Sequence, residues 1–114
     1  MRFSPWGRTV LVCNRGRDCC VDQANAGAAA SSGELLIMAM DDLFAPEGWD
    51  ALLLEAVGDA QREAVVHCSS GSPQDYRLFV PQITTRARYE RLGYMGYPEY
   101  ESMFVDREFT DHAR

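Results

Sequence analysis

Lysine is absent from this sequence of 114 residues, so all 11 basic residues are arginines, against 17 aspartates and glutamates. The net charge of -6 comes without a basic stripe of the kind that binds a phosphate backbone. We therefore expect no nucleic acid partner. A nucleotide held through a metal ion remains compatible with this charge, because the ion supplies the positive charge.

Long hydrophobic runs are also absent. The longest, residues 35–40, is far shorter than the roughly 20 residues that a membrane-spanning helix needs. Arginines at positions 2, 8, 15 and 17 are spread through the first 20 residues, which is unlike the apolar centre of a signal peptide. We predict no membrane span, no signal peptide and a cytoplasmic location.

The cysteines lack the spacing of a zinc site. Cys13, Cys19, Cys20 and Cys68 include no C-x-x-C pair, and no nearby histidine completes a ligand set. Reduced structural thiols are the favoured interpretation, with metal ligation as the alternative. The Ser- and Gly-rich residues 69–74 likewise lack the lysine and the glycine spacing of a P-loop, which favours an ordinary connection.

The composition, 46% hydrophobic and 25% charged, is typical of one globular domain. Apolar runs, alanine content and glycine punctuation predict elements in alternating order, as in α/β folds. The predicted strands are residues 9–13, 34–40, 64–68 and 76–80, and the predicted helices are residues 21–32 before Gly33, 49–57, 85–92 before Gly93, and 106–114.

Two carboxylates follow the most apolar of these strands. Residues 34–40 form a continuous apolar run, which is typical of a strand covered on both faces in a mostly parallel sheet. Asp41 and Asp42 come directly after it. In open α/β sheets, ligands bind beyond the carboxyl ends of the strands, so the pair is a candidate binding site.

In this context the sequence resembles the inverting family 2 glycosyltransferases. Asn25-Ala26-Gly27, the run ELLIMAM, the pair Asp41-Asp42, Pro46 and Trp49 stand in the order and spacing of that family, and PQITTRARYERLGY and PEYESMFVDREFTDHAR resemble a branch of it. The resemblance covers residues 21–114. It implies an α/β fold, namely a partial GT-A (Rossmann-like) three-layer α/β/α domain with a mostly parallel sheet. Residues 1–20 are then an N-terminal strand and loop, and residues 21–114 a metal-binding and acceptor half-domain.

The function that the resemblance implies is metal-assisted transfer of a sugar, with inversion, from a nucleoside-diphosphate sugar to an acceptor hydroxyl. Asp42 aligns with the family's metal contact, and Mg²⁺ or Mn²⁺ is the expected ion. Met40 occupies the position of the first acidic residue of the motif. Asp41 is the neighbouring carboxylate that can supply the missing charge. The alternative is that both aspartates only end a strand and cap the next turn.

The same resemblance implies roles for three further residues. Asp106 aligns with the general base that removes the proton of the acceptor hydroxyl, with the alternative of a solvated residue at a helix N-terminus. Asn25 and Gly27 border the donor pocket, or else pack a helix on the sheet. Aromatic side chains form a sugar-stacking platform or, alternatively, core and interface contacts; they are Trp49, Tyr94, Tyr97, Tyr100 and Phe104.

Members of the family open with a nucleotide-binding half, and residues 1–20 are too short to replace it. We therefore expect a truncated product, or a second chain or homodimer that completes the domain. Two functions follow. The first is the sugar transfer described above, and the second is a non-catalytic remnant or interaction module that keeps part of the fold.

Overall fold

Short helices and strands make up the part of the chain that the computed structural model describes, which is residues 2–4, 7–39, 43–69, 81–101 and 105–113. In chain order they are β1 (Arg2–Ser4), β2 (Gly7–Thr9), α1 (Cys20–Ala30), β3 (Leu35–Met38), α2 (Trp49–Val57), β4 (Gln82–Thr85), α3 (Arg86–Leu92) and α4 (Val105–Ala113).

Helix α1 confirms the prediction from the alanine-rich run, with slightly different ends. Cys19 precedes it in an extended conformation. Asp22 in its first turn accepts hydrogen bonds of 2.8 Å from the backbone N–H and from Nη2 of Arg17. At the other end, Ser31 donates from its hydroxyl to the carbonyl oxygen of Ala28 at 2.7 Å, which satisfies one of the last helical carbonyls. The helix therefore ends at Ala30, before Gly33.

Strand β3 pairs with β4 in antiparallel fashion, with Leu35 opposite Thr85 and Met38 opposite Gln82. On the other edge of β4, Val65 forms an isolated antiparallel bridge to Thr84. Strands β1 and β2 form a separate antiparallel pair. All strand pairs within the described residues are therefore antiparallel.

The predicted mostly parallel sheet of a GT-A-type three-layer α/β/α domain is consequently wrong. Four helices accompany only two-stranded antiparallel sheets in the described part of the chain. The apolar run at residues 34–40 does indicate burial, but burial occurs in both kinds of sheet and carries no information on the direction of the neighbouring strand. That neighbour, β4, is polar in sequence although all four of its residues are buried.

The other three strand predictions have different outcomes. Residues 10–13 have no regular structure, since β2 ends at Thr9, so the strand at residues 9–13 is wrong. The strand at residues 64–68 shrinks to the single bridge of Val65. The strand predicted at residues 76–80 lies outside the described residues.

Helices α2 and α3 begin and end close to their predicted positions. α2 begins at Trp49 after Gly48, whose φ of 73° is a left-handed conformation that glycine adopts without steric cost. α3 follows Thr85, whose hydroxyl accepts a hydrogen bond from the N–H of Arg88 as an N-cap. It ends at Leu92, and the following Gly93 is its C-cap with a φ of 83°.

The core lies where α1 packs on β3 and on the turn after α3. Ala28, Leu36 and Met95 form a buried cluster, and Met38 and Tyr89 pack against it. None of the described helices is long and apolar enough to cross a membrane.

Candidate functional site

The acidic pair follows β3, and the structure describes the residues on either side of it. Met40, Asp41 and Asp42 themselves lie outside the described residues. Ala39 precedes them and Leu43 follows them, and both line the same cavity. The structure therefore describes the chain neighbours of the predicted metal ligand Asp42 and not Asp42 itself.

This cavity, which we call the apolar cavity, has a volume of about 420 Å³. Its size falls within the roughly 300 to 1,000 Å³ of typical ligand pockets, which are mostly apolar with a few polar groups. The walls come from the end of β3, the first turns of α2, the segment 43–46 and the start of β4. The lining residues are Ile37, Ala39, Leu43, Phe44, Ala45, Pro46, Trp49, Leu52, Leu53, Cys68, Ser69, Pro81 and Ile83.

Two aromatic rings of this lining are open to solvent, since Phe44 is 95% exposed and Trp49 is 41% exposed. A turn holds Trp49 in place, because its N–H donates to the carbonyl oxygen of Pro46 at 3.2 Å. The spacing of Pro46 and Trp49 in the sequence thus corresponds to a real turn at the mouth of the cavity. Exposed aromatic faces of this kind can pack on the apolar face of a sugar ring.

A second cavity of about 330 Å³ lies between α1 and β3, and we call it the edge groove. Gly27, one of the predicted site residues, belongs to its lining, and a methyl group built on Gly27 would meet no atom within 4 Å. The lining residues are Ala24, Gly27, Ala28, Ser31, Leu35, Leu36, Ile37, Met38, Ala39 and Met95.

The side-chain amide of Asn25 makes hydrogen bonds within the protein. Its side-chain oxygen accepts hydrogen bonds from the N–H groups of Met95 and Gly96 at 2.8 and 2.9 Å. Its side-chain Nδ2 donates to the carbonyl oxygen of Gly96 at 2.7 Å. The amide therefore holds the turn after α3 against α1, which matches the packing alternative for this residue.

Asp106 lies half-buried in the first turn of α4. Its Oδ1 accepts a hydrogen bond of 2.8 Å from the N–H of Arg107. The preceding residue, Val105, is buried, and a methyl group built on Gly96 would come within 3.0 Å of it. Asn25, Gly96 and Val105 thus form a continuous path of contacts from α1 to the start of α4.

A buried arginine fixes the middle of α4. The guanidinium carbon of Arg88 in α3 lies 4.9 Å from the centre of the Phe109 ring, a cation–π geometry. Burial lowers the pKa of Arg88. Helix α4 is therefore anchored at Val105 and Phe109, on either side of Asp106.

The tyrosines of the predicted platform pack mainly on one another. Tyr94 and Tyr97 meet edge to face with ring centres 5.5 Å apart, and Tyr97 and Tyr100 do so at 5.6 Å. Phe104 lies outside the described residues. The exposed aromatic rim of the apolar cavity, Phe44 and Trp49, is a different surface.

The described residues contain no group of three histidine, cysteine or acidic side chains that could hold a metal ion. The four cysteines are free thiols, and burial raises the pKa of Cys68, which lines the apolar cavity. Mg²⁺ and Mn²⁺ are commonly bound by one or two carboxylates together with substrate phosphates. A site of that kind needs no cluster of three protein ligands.

The sequence analysis did not single out two polar residues, Gln82 and Arg17, that the structure shows to be buried or to bridge distant segments. Gln82 is buried opposite Met38, and its Oε1 has no hydrogen-bond partner among the described residues. Arg17 donates to the carbonyl oxygens of Pro98 and Tyr100 as well as to Asp22. The burial of Gln82 and the hydrogen bonds of Arg17 to residues 98 and 100 both depend on segments that are distant in the chain.

Comparisons of the chain with family models, with characterised proteins and with solved structures find no match.

Proposed function

We propose that this chain takes part in metal-assisted transfer of a sugar from a nucleoside-diphosphate sugar to an acceptor hydroxyl. The observation that carries the proposal is the apolar cavity with its aromatic rim, which the chain neighbours of Asp41 and Asp42 help to form. It supports the proposal by offering a space of ligand size with exposed aromatic side chains, bordered by Ala39 and Leu43, which flank Met40, Asp41 and Asp42 in the chain.

In this proposal Asp42 is the protein ligand of the divalent ion, and Asp41 adds negative charge beside it. The bound ion offsets the charge that develops on the diphosphate as it leaves. Phe44 and Trp49 hold the acceptor or donor sugar by stacking at the rim. Asp106 removes the proton from the acceptor hydroxyl, and Asn25 positions α4 through the turn at Gly96. A cytoplasmic location is part of the same proposal.

Binding and transfer are tested separately. Calorimetry with Mn²⁺ and a panel of nucleoside diphosphates should show weak binding that requires the ion and that Asp42→Asn abolishes. Glu55→Gln is the matched control, because Glu55 is exposed on α2 and lies outside the cavity lining. Absence of binding for every nucleotide, with and without Mn²⁺, would rule out the proposal.

The role of Asp106 has its own test. Asp106→Asn should leave metal-dependent nucleotide binding intact and reduce sugar transfer by roughly 10² to 10⁴-fold, the usual contribution of a general base. Asp111→Asn on the same helix, where Asp111 is exposed, should change neither. Loss of nucleotide binding in Asp106→Asn would contradict the assignment.

The second function, an interaction module, is favoured by one observation. Val10 and Leu11 are exposed large apolar residues, at 50% and 91%. Neighbouring exposed apolar residues of this kind form a surface patch, and such patches can mark contact with another chain.

A further inference from the structure

Strand β3 has a pairing partner on one edge only within the described residues. That partner is β4, and the other edge of β4 is itself occupied. There, the N–H of Val66 donates to Ile83 and the N–H of Thr85 donates to Ala64, at 3.1 and 3.0 Å. Among the residues that the structure describes, the order is therefore Val65, β4, β3, and β3 is the outer strand. An outer strand presents backbone N–H and C=O groups that another strand can pair with.

The edge groove runs along this outer edge. Successive side chains of a strand point to opposite faces, so a cavity on one face is lined by every second residue. Residues 35–39 line the edge groove without a gap. A cavity that touches five successive residues borders the backbone edge of the strand. None of the described lining residues belongs to β4, so we place the cavity on the edge away from β4, between β3 and α1.

The wall of the groove that α1 forms is built from small residues, which leaves space for the backbone of an added strand. The α1 residues that line the groove are all small, namely Ala24, Gly27, Ala28 and Ser31. The space at Gly27 is open for at least 4 Å around the position of a methyl group. The described residues that line the groove include no charged side chain. It therefore suits a short, uncharged and apolar strand.

The chain carries such a segment at residues 10–13, Val-Leu-Val-Cys, which we call the arm. The arm has four residues, as β3 has, and it is rich in residues that favour strands. All four are exposed, Leu11 at 91%. None of the arm residues lines the edge groove of the same chain, and their apolar side chains are exposed instead.

We propose that the arm of a second copy of this chain pairs along the outer edge of β3 and fills the edge groove. The exchange is reciprocal, so it closes a two-fold dimer and leaves neither arm exposed. The arm and the described lining of the groove are both uncharged, so no like charges meet between them. The dimer is a separate proposal from sugar transfer, because its test measures oligomeric state and changes neither Asp42 nor Asp106.

Oligomeric state tests the proposal. Light scattering coupled to size exclusion, at protein concentrations up to about 100 µM, should show a dimer that dissociates on dilution. Leu11→Asp should weaken dimerisation roughly tenfold or more, because it places a charge in the apolar groove. Leu54→Asp is the matched control, since Leu54 is exposed on α2 and outside the groove, and it should remain dimeric.

A second variant changes the groove instead of the arm. Gly27→Leu fills the open space, and leucine favours a helix over glycine, so α1 is kept. We expect a folded monomer with unchanged circular dichroism. Hydrogen exchange of the β3 amides should become slower as the wild type dimerises. A wild type that is monomeric at about 100 µM, or Leu11→Asp and Gly27→Leu variants that dimerise like it, would overturn the proposal.

Discussion

The guanidinium of Arg86 donates a hydrogen bond of 2.6 Å from Nε to the carbonyl oxygen of Gly33. The same side chain donates to the hydroxyl of Ser31 at 2.8 Å, and the backbone N–H of Arg86 donates to Glu34 at 2.8 Å. The first residue of α3 is thereby tied to the loop that enters β3. These contacts hold β3 and β4 in register at the end of the strand pair where Leu35 lies opposite Thr85.

Replacing Arg86 by methionine should therefore lower the free energy of unfolding. Two side-chain hydrogen bonds are lost, at about 1 kcal/mol each in net terms, while most of the packing of the stem is kept. Urea denaturation measures the change. Arg62→Met is the control, because Arg62 is exposed, and it should stay within about 0.5 kcal/mol of the wild type. Equal stability of the two variants would contradict the role of Arg86.

Thr85 joins three elements through one hydroxyl. Its Oγ1 accepts from the N–H of Ala64 at 3.0 Å and caps α3 by accepting from Arg88 N at 3.5 Å, and the residue is fully buried. Thr85→Val keeps the shape but leaves a buried N–H unpaired, so we expect a loss of about 1 to 3 kcal/mol in unfolding free energy. Thr85→Ser keeps the oxygen and should recover most of it. A valine variant as stable as the serine variant would argue against the hydrogen bonds.

Asn25 holds the turn at Gly96 with both ends of its amide. Asn25→Asp turns the donor that faces the Gly96 carbonyl into an acceptor, so repulsion replaces a hydrogen bond. We expect a loss of roughly 2 kcal/mol or more in thermal or urea unfolding. The same amide-to-acid change at exposed Gln61 should have little effect. A small effect at Asn25 would show that the turn is held by other contacts.

Asp22 makes stability depend on pH in the acid range. The hydrogen bond from the Arg17 side chain, followed by that from the Arg17 N–H, lowers the pKa of Asp22 from 3.8 to about 2. Because the pKa in the folded protein is the lower one, the stabilisation is present above pH 3.8 and is lost as the pH falls through about 2.

The stability difference between wild type and Asp22→Asn should accordingly be constant near neutral pH and fade between about pH 4 and pH 2. In an Arg17→Met background the same substitution should lose most of this pH dependence. Denaturation at a series of pH values measures both. An Asp22 carboxyl that titrates near 3.8 in an NMR titration of the folded protein would contradict the pairing.

Local signals in the sequence predicted several elements well. The start of α2 at Trp49 and the end of α3 at Gly93 follow from turn residues next to a helical pattern, and such signals act within a few residues. Strand β4 was not predicted, because Gln82, Thr84 and Thr85 look like surface residues. Their burial depends on β3 and on residues 64–66, which lie far away in the chain.

The candidate site divides in the same way. The sequence predicted a turn between Pro46 and Trp49, which is a local pattern, while the acidic pair before it stays a prediction. For Asn25 the resemblance implied a place beside the donor, with helix packing as the alternative, and its amide makes hydrogen bonds to Met95 and Gly96. A side chain's partners some 70 positions away are set by tertiary packing.

The amino-acid sequence by itself determined where the helices lie and, for α2 and α3, nearly where they begin and end, because alanine content, capping residues and glycine act over a single turn of chain. Tertiary structure alone decided the direction of β4 beside β3, the edge groove behind it, and the apolar cavity that Ala39 and Leu43 border. The physical reason is that strand direction and cavities arise from backbone pairing and packing between distant segments, which hydrophobicity along the chain does not encode.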